Sequence, residues 1–413
     1  MRPQPVRFLS FAAATLVATS VLAGCGSGGG TGTQSGSPIV IGASLSLTGA
    51  FSSDGQAFQR GYQLWQSDVN SHGGILGRRI KLIILNDNSS PTTVVSNYQK
   101  LINVDHVDLT FGPFSTLLTA PASVAVHKLG YALVEGAGGG PLVFANKLNN
   151  VFDVSLPVAS ELDPLVAWIK SLPPSERPKT AAYPMANDPF AYPPVLTAQK
   201  ALEALGIRTV YSKIFNEEVS AYRAPAEQVA ASNAQMVVLG STDVPTVSTF
   251  MQAFEQQHYQ PEIFIAAAGP DQGIAFEGTV GVANATGVMV PDGWYGAYSN
   301  PLSYEMVEEY IARYGGTSSD INADVAEAYS VGEVVDQAVT HNKSLSNTEL
   351  IAYLHSGVTL QSAQGPVQFN QLGENQKPAA FVFQWQNGSF NQVLPSGTQG
   401  SSAILYPKPH WNS

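Results

Sequence analysis

From Pro38 onward, short apolar runs alternate with stretches of helical period, and this alternation constrains the fold more than any other feature of the chain. "IVIGASLSL" reads as a strand, after which Phe58, Tyr62, Trp65 and Val69 recur on one helical face. "IKLIIL" is the next strand, followed by a helix with Val94, Tyr98, Leu101 and Ile102 turned inward. "VDLTF", a helix from about Ser115, and "YALV" complete the run. After "NVFDVSLP" the alternation starts again, with a helix over 162–172, "TAAYP", a helix over 195–205, "TVYSKIF", "AQMVVLG", a helix around Phe250 and "EIFIAAAG". Strands separated by helices pair in parallel, with helices on both faces. Two such runs in succession predict an α/β protein of two doubly wound parallel-sheet lobes. The last third differs: three helices over 303–314, 322–341 and 347–355, then "GPVQFNQLGEN" and a hairpin with Asn387-Gly388 as its turn. A tail that returns after two lobes implies more than one crossing between them.

The start of the chain is an address rather than part of the fold. "MRPQPVRFLSFAAATLVATSVLAGC" places Arg2 and Arg7 before an apolar run from Phe8 to Ala23, the pattern of a secretory signal over 1–24. Leu22-Ala23-Gly24-Cys25 resembles the bacterial lipobox, whose cysteine is lipidated; the plainer reading is ordinary cleavage beside an incidental thiol. Cys25 is the one cysteine of the chain, so no disulfide forms within it. Residues 26–37, "GSGGGTGTQSGS", are a flexible tether with nothing to bury. The net charge of −11 argues against nucleic acid and anionic lipid as partners. The sequence therefore predicts an exported protein, lipid-anchored on the outer face of the cytoplasmic membrane or periplasmic, touching the membrane through its anchor only.

The chemistry-bearing motifs are few. "LVEGAGGGP" (133–141) brings one acid and four glycines to the end of an apolar strand, where ligands bind in open parallel sheets. The glycines follow the fourth strand and lack the G-x-G-x-x-G spacing of a dinucleotide site, and the chain has no P-loop. There is no G-x-S-x-G elbow, and the seven histidines are scattered singly, so neither a hydrolase, a metal site nor a cofactor is expected. Glu217-Glu218 and Glu308-Glu309 read as solvated surface charge. Binding without chemistry is the better reading, and an enzyme the poorer one.

"IVIGASLSLTGAFSSDGQAFQRGYQLWQSDVNSHGGILGRRIKLIILND" resembles the opening of the periplasmic-binding-protein type I family, more narrowly the branched-chain amino acid and amide receptors of ABC importers. Thr48-Gly49, Gly55 to Gly61, Asn70, Gly73-Gly74, Gly77 and Asp87 carry the likeness, with "VDLTFGPFST", "PDGWY", "GPVQFNQLGEN" and "FQWQNG" following in order. The resemblance implies two lobes joined by three hinge crossings, near Phe152–Val154, Val290–Gly293 and Asn370–Lys377. Lobe 1 would be 38–153 plus 293–370, and lobe 2 154–292 plus 371–413. It also implies a monomer that delivers a small amino acid, or a related carboxylate or amide, to an ABC permease and its ATPase. A sensing module for a signalling receptor, or a receptor for aromatic or other carboxylates, are the alternatives.

The same resemblance assigns the site. A ligand carboxylate would be held by Ser115 and Thr116 after the third strand and by Ala137, Gly138 and Gly139 after the fourth, while Asp271 would take the α-ammonium. The alternative for the glycines is that they serve only a tight turn. The alternative for Asp271 is an N-cap of the helix that follows. This chain departs from the family pattern at Glu135, Gly139, Asp54, Phe190 and Thr242 or Asp243, which makes the cleft more acidic. Glu135 is expected either to bond the glycine-loop amides or to touch ligand. Asp54 would be an N-cap or a ligand group. Trp294 would pack at a hinge or wall the cleft.

Overall fold

The computed structural model describes residues 36–216, 221–298 and 300–411. Residues 1–35, with the expected signal, Cys25 and all but the last two residues of the expected tether, and Glu217-Glu218 lie outside the described residues. No helix among the described residues is long and apolar enough to cross a membrane.

Two open sheets carry the fold, as the alternation predicts. The first holds β1 (Ile39–Leu45), β2 (Ile80–Asn86), β3 (Leu109–Phe111), β4 (Leu133–Glu135) and β5 (Val151–Asp153). They lie in the order β2-β1-β3-β4-β5, and every pairing is parallel. The second holds β6 (Thr180–Ala186), β7 (Arg208–Phe215), β8 (Met236–Leu239), β9 (Ile263–Ala266) and β10 (Val288–Asp292). A small ribbon of β11 (Leu360–Ser362) and β12 (Gly365–Val367) precedes the hairpin β13 (Phe381–Gln386) and β14 (Ser389–Leu394). That hairpin extends the second sheet to seven strands, β14-β13-β10-β9-β8-β6-β7, with β13 antiparallel to β10. Its turn is where the sequence places it: Asn387 and Gly388 both take positive φ, 51° and 82°, the backbone that matches the strand twist. β8 and β9 are buried at every position, as parallel strands covered on both faces must be.

The chain leaves the first sheet after Asp153, returns to the first core after Asp292, and crosses again before Phe381. Hydrogen bonds tie these crossings together. Asp153 N donates to Gly373 O at 2.9 Å, Asn375 Nδ2 to Val154 O at 2.9 Å, and Gln364 Nε2 to Ser155 Oγ at 3.0 Å. Trp294 is buried in the first core and donates its Nε1 to Ser303 Oγ at 2.9 Å. It packs beside the crossing and does not wall the cleft.

Two long helices, Ser52–Ser71 and Ala323–Asn342, close one face of the first sheet. Glycines let them approach. A Cβ on Gly61 would lie 2.4 Å from Val325 O, and one on Gly332 would lie 2.1 Å from the Trp65 ring. This contact brings the first turn of each helix, with Asp54 and Asp324, to the same edge of the sheet.

Candidate functional site

A cleft of about 930 Å³, its mouth included, lies at the carboxyl ends of the parallel strands of both sheets. The first sheet contributes Phe51 and Asp54 beyond β1, Phe114 and Ser115 beyond β3, Gly136, Ala137 and Gly139 beyond β4, and Asp153 at the end of β5. The second contributes Asp188 and Phe190 beyond β6, Thr242 beyond β8, Asp271 and Gln272 beyond β9, and Asp292 at the end of β10. Gln272 Nε2 donates to Asp54 Oδ1 at 2.9 Å, a direct bond from one half of the molecule to the other. Seven of the ten residues expected from the sequence line this space: Asp54, Ser115, Ala137, Gly139, Phe190, Thr242 and Asp271. Thr116, Glu135 and Gly138 do not.

The glycine loop differs from the expected open cradle. Glu135 Oε2 accepts from the amides of both Ala137, at 3.0 Å, and Gly138, at 2.5 Å. The Gly140 amide donates to Thr116 Oγ1 at 3.1 Å. The amides assigned to a ligand carboxylate at Ala137 and Gly138 are therefore engaged by a carboxyl of the chain itself. Nor does Gly138 keep space clear for a ligand. Its missing Cβ would strike the Thr119 side chain, as close as 2.5 Å, so glycine there lets the loop lie against the helix Thr116–Lys128.

Ser115 precedes that helix and accepts from Leu118 N at 3.3 Å, capping it. It does so with φ 75° and ψ 148°, a region that side chains other than glycine rarely enter. Asp54 is not the N-cap of its helix; Phe51 holds that position, and Asp54 sits buried in the first turn. Asp271 is not a cap either. The helix Ile274–Val280 begins from Gly273, while Asp271 Oδ1 accepts from Gly269 N at 2.6 Å. Asp243, the alternative to Thr242, is a cap, accepting from Thr246 N at 2.8 Å.

The sequence reading missed most of the acids. Besides Asp54 and Asp271, the lining includes Asp153, Glu161, Asp188, Asp292, Asp324 and Glu327. Among the described lining residues there is no Lys, Arg or His. Burial raises the carboxyls, and like charges raise several further. Asp54 is pushed up to about 8 by burial and by Asp271, and Asp292 to about 8 by burial and by Asp271. Asp153 is pushed up to about 7 by burial, with Glu374 adding to it. Glu161, Asp324 and Glu327 stand well above the ordinary carboxylate range for the same reasons, with Asp292, Asp54 and Asp324 as their leading charged neighbours. Asp54 is the leading charged neighbour of Asp324, and two buried acids placed so near do not readily ionise together. Such a cleft retains protons or attracts positive charge.

Outside the cleft, Asp68, Glu305 and Glu309 bring carboxylate oxygens within 4.8 Å of one another, the one grouping of metal-ligand type among the described residues. Glu308 is exposed as expected, but Glu309 is half-buried, its carboxyl raised to about 7 by burial and by Asp68.

Two sheets presenting their carboxyl ends to a shared cleft, with three crossings between them, define a solute-binding architecture. The family described as "Periplasmic binding protein" matches residues 38–389, and the chain belongs to it. It is similar to the Leu/Ile/Val-binding protein homolog 3 of Brucella melitensis, 21% identical over 353 residues that cover 85% of this chain and 92% of that one. The fold is shared with the branched-chain amino acid transporter substrate binding protein LivJ of Streptococcus pneumoniae, solved in complex with isoleucine. That match has a TM-score of 0.73 and 17% identity, over 90% of this chain and 100% of that chain. It is shared equally with an ABC transporter solute binding protein of R. palustris in complex with benzoate, TM-score 0.73 and 17% identity, over 90% of this chain and 98% of the other. These are substrate-binding proteins, not enzymes, and membership of the family implies an extracytoplasmic location.

Proposed function

We propose that the protein is the extracytoplasmic receptor of an ABC importer, closing on a small solute that bears a positively charged nitrogen and delivering it to the permease. The carrying observation is the cleft itself, where acids from both sheets converge and no basic side chain lies among the described lining residues. In this reading the lobes are 38–153 plus 293–370 and 154–292 plus 371–413. Closure follows solute binding because each lobe holds only part of the acid set. An amino acid would place its ammonium at Asp271, beside Asp54 and Asp292. The glycine loop contributes fewer free amides to a carboxylate than the family resemblance implies, so the ammonium end carries the recognition.

Export and anchoring belong to the same proposal: Cys25, at the lipobox, would hold the receptor at the membrane through its lipid. Cys25→Ser should move the protein to the soluble fraction after a salt wash; a variant that stays with membranes would sink the anchor. The receptor reading is tested on protein refolded from denaturant, screened by thermal shift against amino acids, amines and aromatic acids. A solute present at 100 times its Kd should add about 2.7 kcal/mol of apparent stability. No shift with any cationic or zwitterionic solute would overturn it.

A further inference from the structure

The receptor reading leaves the class of solute open, and the cleft's own chemistry narrows it. Acids by themselves define no ligand, but two of these carry a buried oxygen without a donor. Asp153 Oδ2 and Glu161 Oε2 accept no hydrogen bond, on residues 0% and 9% exposed that both line the cleft. A buried carboxylate oxygen left this way calls for a donor or a positive charge supplied from outside the chain.

The acids are spread along the cleft rather than gathered at one point. Asp54 lies beyond β1 and Asp153 ends β5, with β3 and β4 between them in the sheet. From the second sheet, Asp271 stands beyond β9 and Asp292 ends β10. No three of these carboxyls are gathered tightly enough for one metal ion; the grouping that meets that condition among the described residues is Asp68, Glu305 and Glu309, away from the cleft. The uncharged lining is largely apolar, with Phe51, Phe114, Phe190, Leu156 and Val158, a surface suited to methylenes, and ring faces attract ammonium groups. A ligand carboxylate, by contrast, meets no basic side chain among the described lining, and the Ala137 and Gly138 amides are bonded to Glu135.

We propose that the solute is an organic dication or polycation without a carboxylate, two or more ammonium groups joined by methylenes, as in an alkyl diamine or polyamine. The proposal rests on the receptor reading and can fail without it. The test is calorimetric titration of the refolded mature chain, near pH 8, with 1,5-diaminopentane, pentylamine, lysine, leucine and calcium chloride. Pentylamine removes the second charge at constant length; lysine keeps both charges and adds a carboxylate. The diamine should bind at least tenfold more tightly than either. Glu161→Gln and Asp153→Asn should each weaken it at least tenfold, with circular dichroism and melting showing a folded protein. Tighter binding of lysine, leucine or pentylamine overturns the proposal and leaves the receptor reading standing. A preference for calcium overturns the proposal and the nitrogen-bearing solute together. Two folded variants that hold the diamine as tightly as the parent also overturn it. If none of the five binds, the proposal falls, and the receptor reading stands or falls on the wider thermal-shift screen.

Discussion

Glu135 shows how a single residue can change what a loop is for. Placed at the end of β4, its carboxyl takes the Ala137 and Gly138 amides, and its other oxygen, Oε1, is buried without a donor. Burial and the neighbouring Asp153 raise the Glu135 carboxyl well above its ordinary range, so the neutral acid is the stable form. Glutamine is then a close substitute: its carbonyl can accept from both amides, and its NH2 can face Asp153. Glu135→Gln should leave stability within about 1 kcal/mol at neutral pH. Glu135→Ala strands two buried amides at about 1–3 kcal/mol each. Urea denaturation of the two variants distinguishes them, and an alanine variant as stable as the parent would remove the role assigned to Glu135. The glycine run was visible in the sequence, and Glu135 was one of two acceptors it offered for the amides; the choice between Glu135 and a ligand was not legible. That depended on a side chain two and three residues away folding back on its own loop.

At the scale of elements, the strands and helices were legible because their periodicity is local. An acidic cleft was expected from Glu135 and Asp54, but Asp153, Glu161, Asp188, Asp292, Asp324 and Glu327 were not expected in it, because convergence is long-range. Asp153 and Asp292 stand in plain view as the last residues of β5 and β10. Nothing in either strand says that the two ends face one space. Asp324 and Glu327, three apart on a helix, share a face by helical geometry. They reach the cleft only because the helix Ala323–Asn342 packs closely on Ser52–Ser71 through Gly61 and Gly332. That contact is testable. A Cβ at Gly332 meets the buried Trp65 ring, and overpacking of this kind costs about 1–3 kcal/mol, against up to about 1 kcal/mol gained from alanine's helix propensity. Gly332→Ala should therefore lower the melting temperature and weaken solute binding together, because it moves Asp324 relative to Asp54. Gly278→Ala is the control: that helical glycine has nothing within 4 Å of its would-be Cβ, so alanine should stabilise slightly and leave binding alone. If Gly332→Ala behaves like Gly278→Ala, the helices are not held as described.

At the scale of the whole molecule, the acids make stability and binding respond to pH in opposite directions. Folded Asp54 and Asp292 titrate at about 8 and Asp153 at about 7, whereas unfolded carboxyls titrate near pH 4. Between those limits the native state binds more protons than the unfolded chain. The slope of unfolding free energy with pH follows the protons bound unfolded minus those bound native, and here that difference is negative. The contribution of these groups is thus fully present below about pH 4 and is lost as pH rises through about 8. The solute-free protein should melt at progressively lower temperature from about pH 5 to about pH 8. A bound cation reverses the trend, since it favours the ionised carboxyls and expels their protons. Affinity should rise across the same interval, with proton release that calorimetry reads by comparing buffers of different ionisation heat. Asp324→Asn isolates the mechanism: it removes a buried acid that the Asp54 charge opposes, so it should raise the solute-free melting temperature near pH 8 and change it little near pH 5. A melting temperature that is flat from pH 5 to 8 in the parent would mean that the cleft acids are ionised throughout and already neutralised by a group of the chain. The case for a cationic solute would then lose its electrostatic basis.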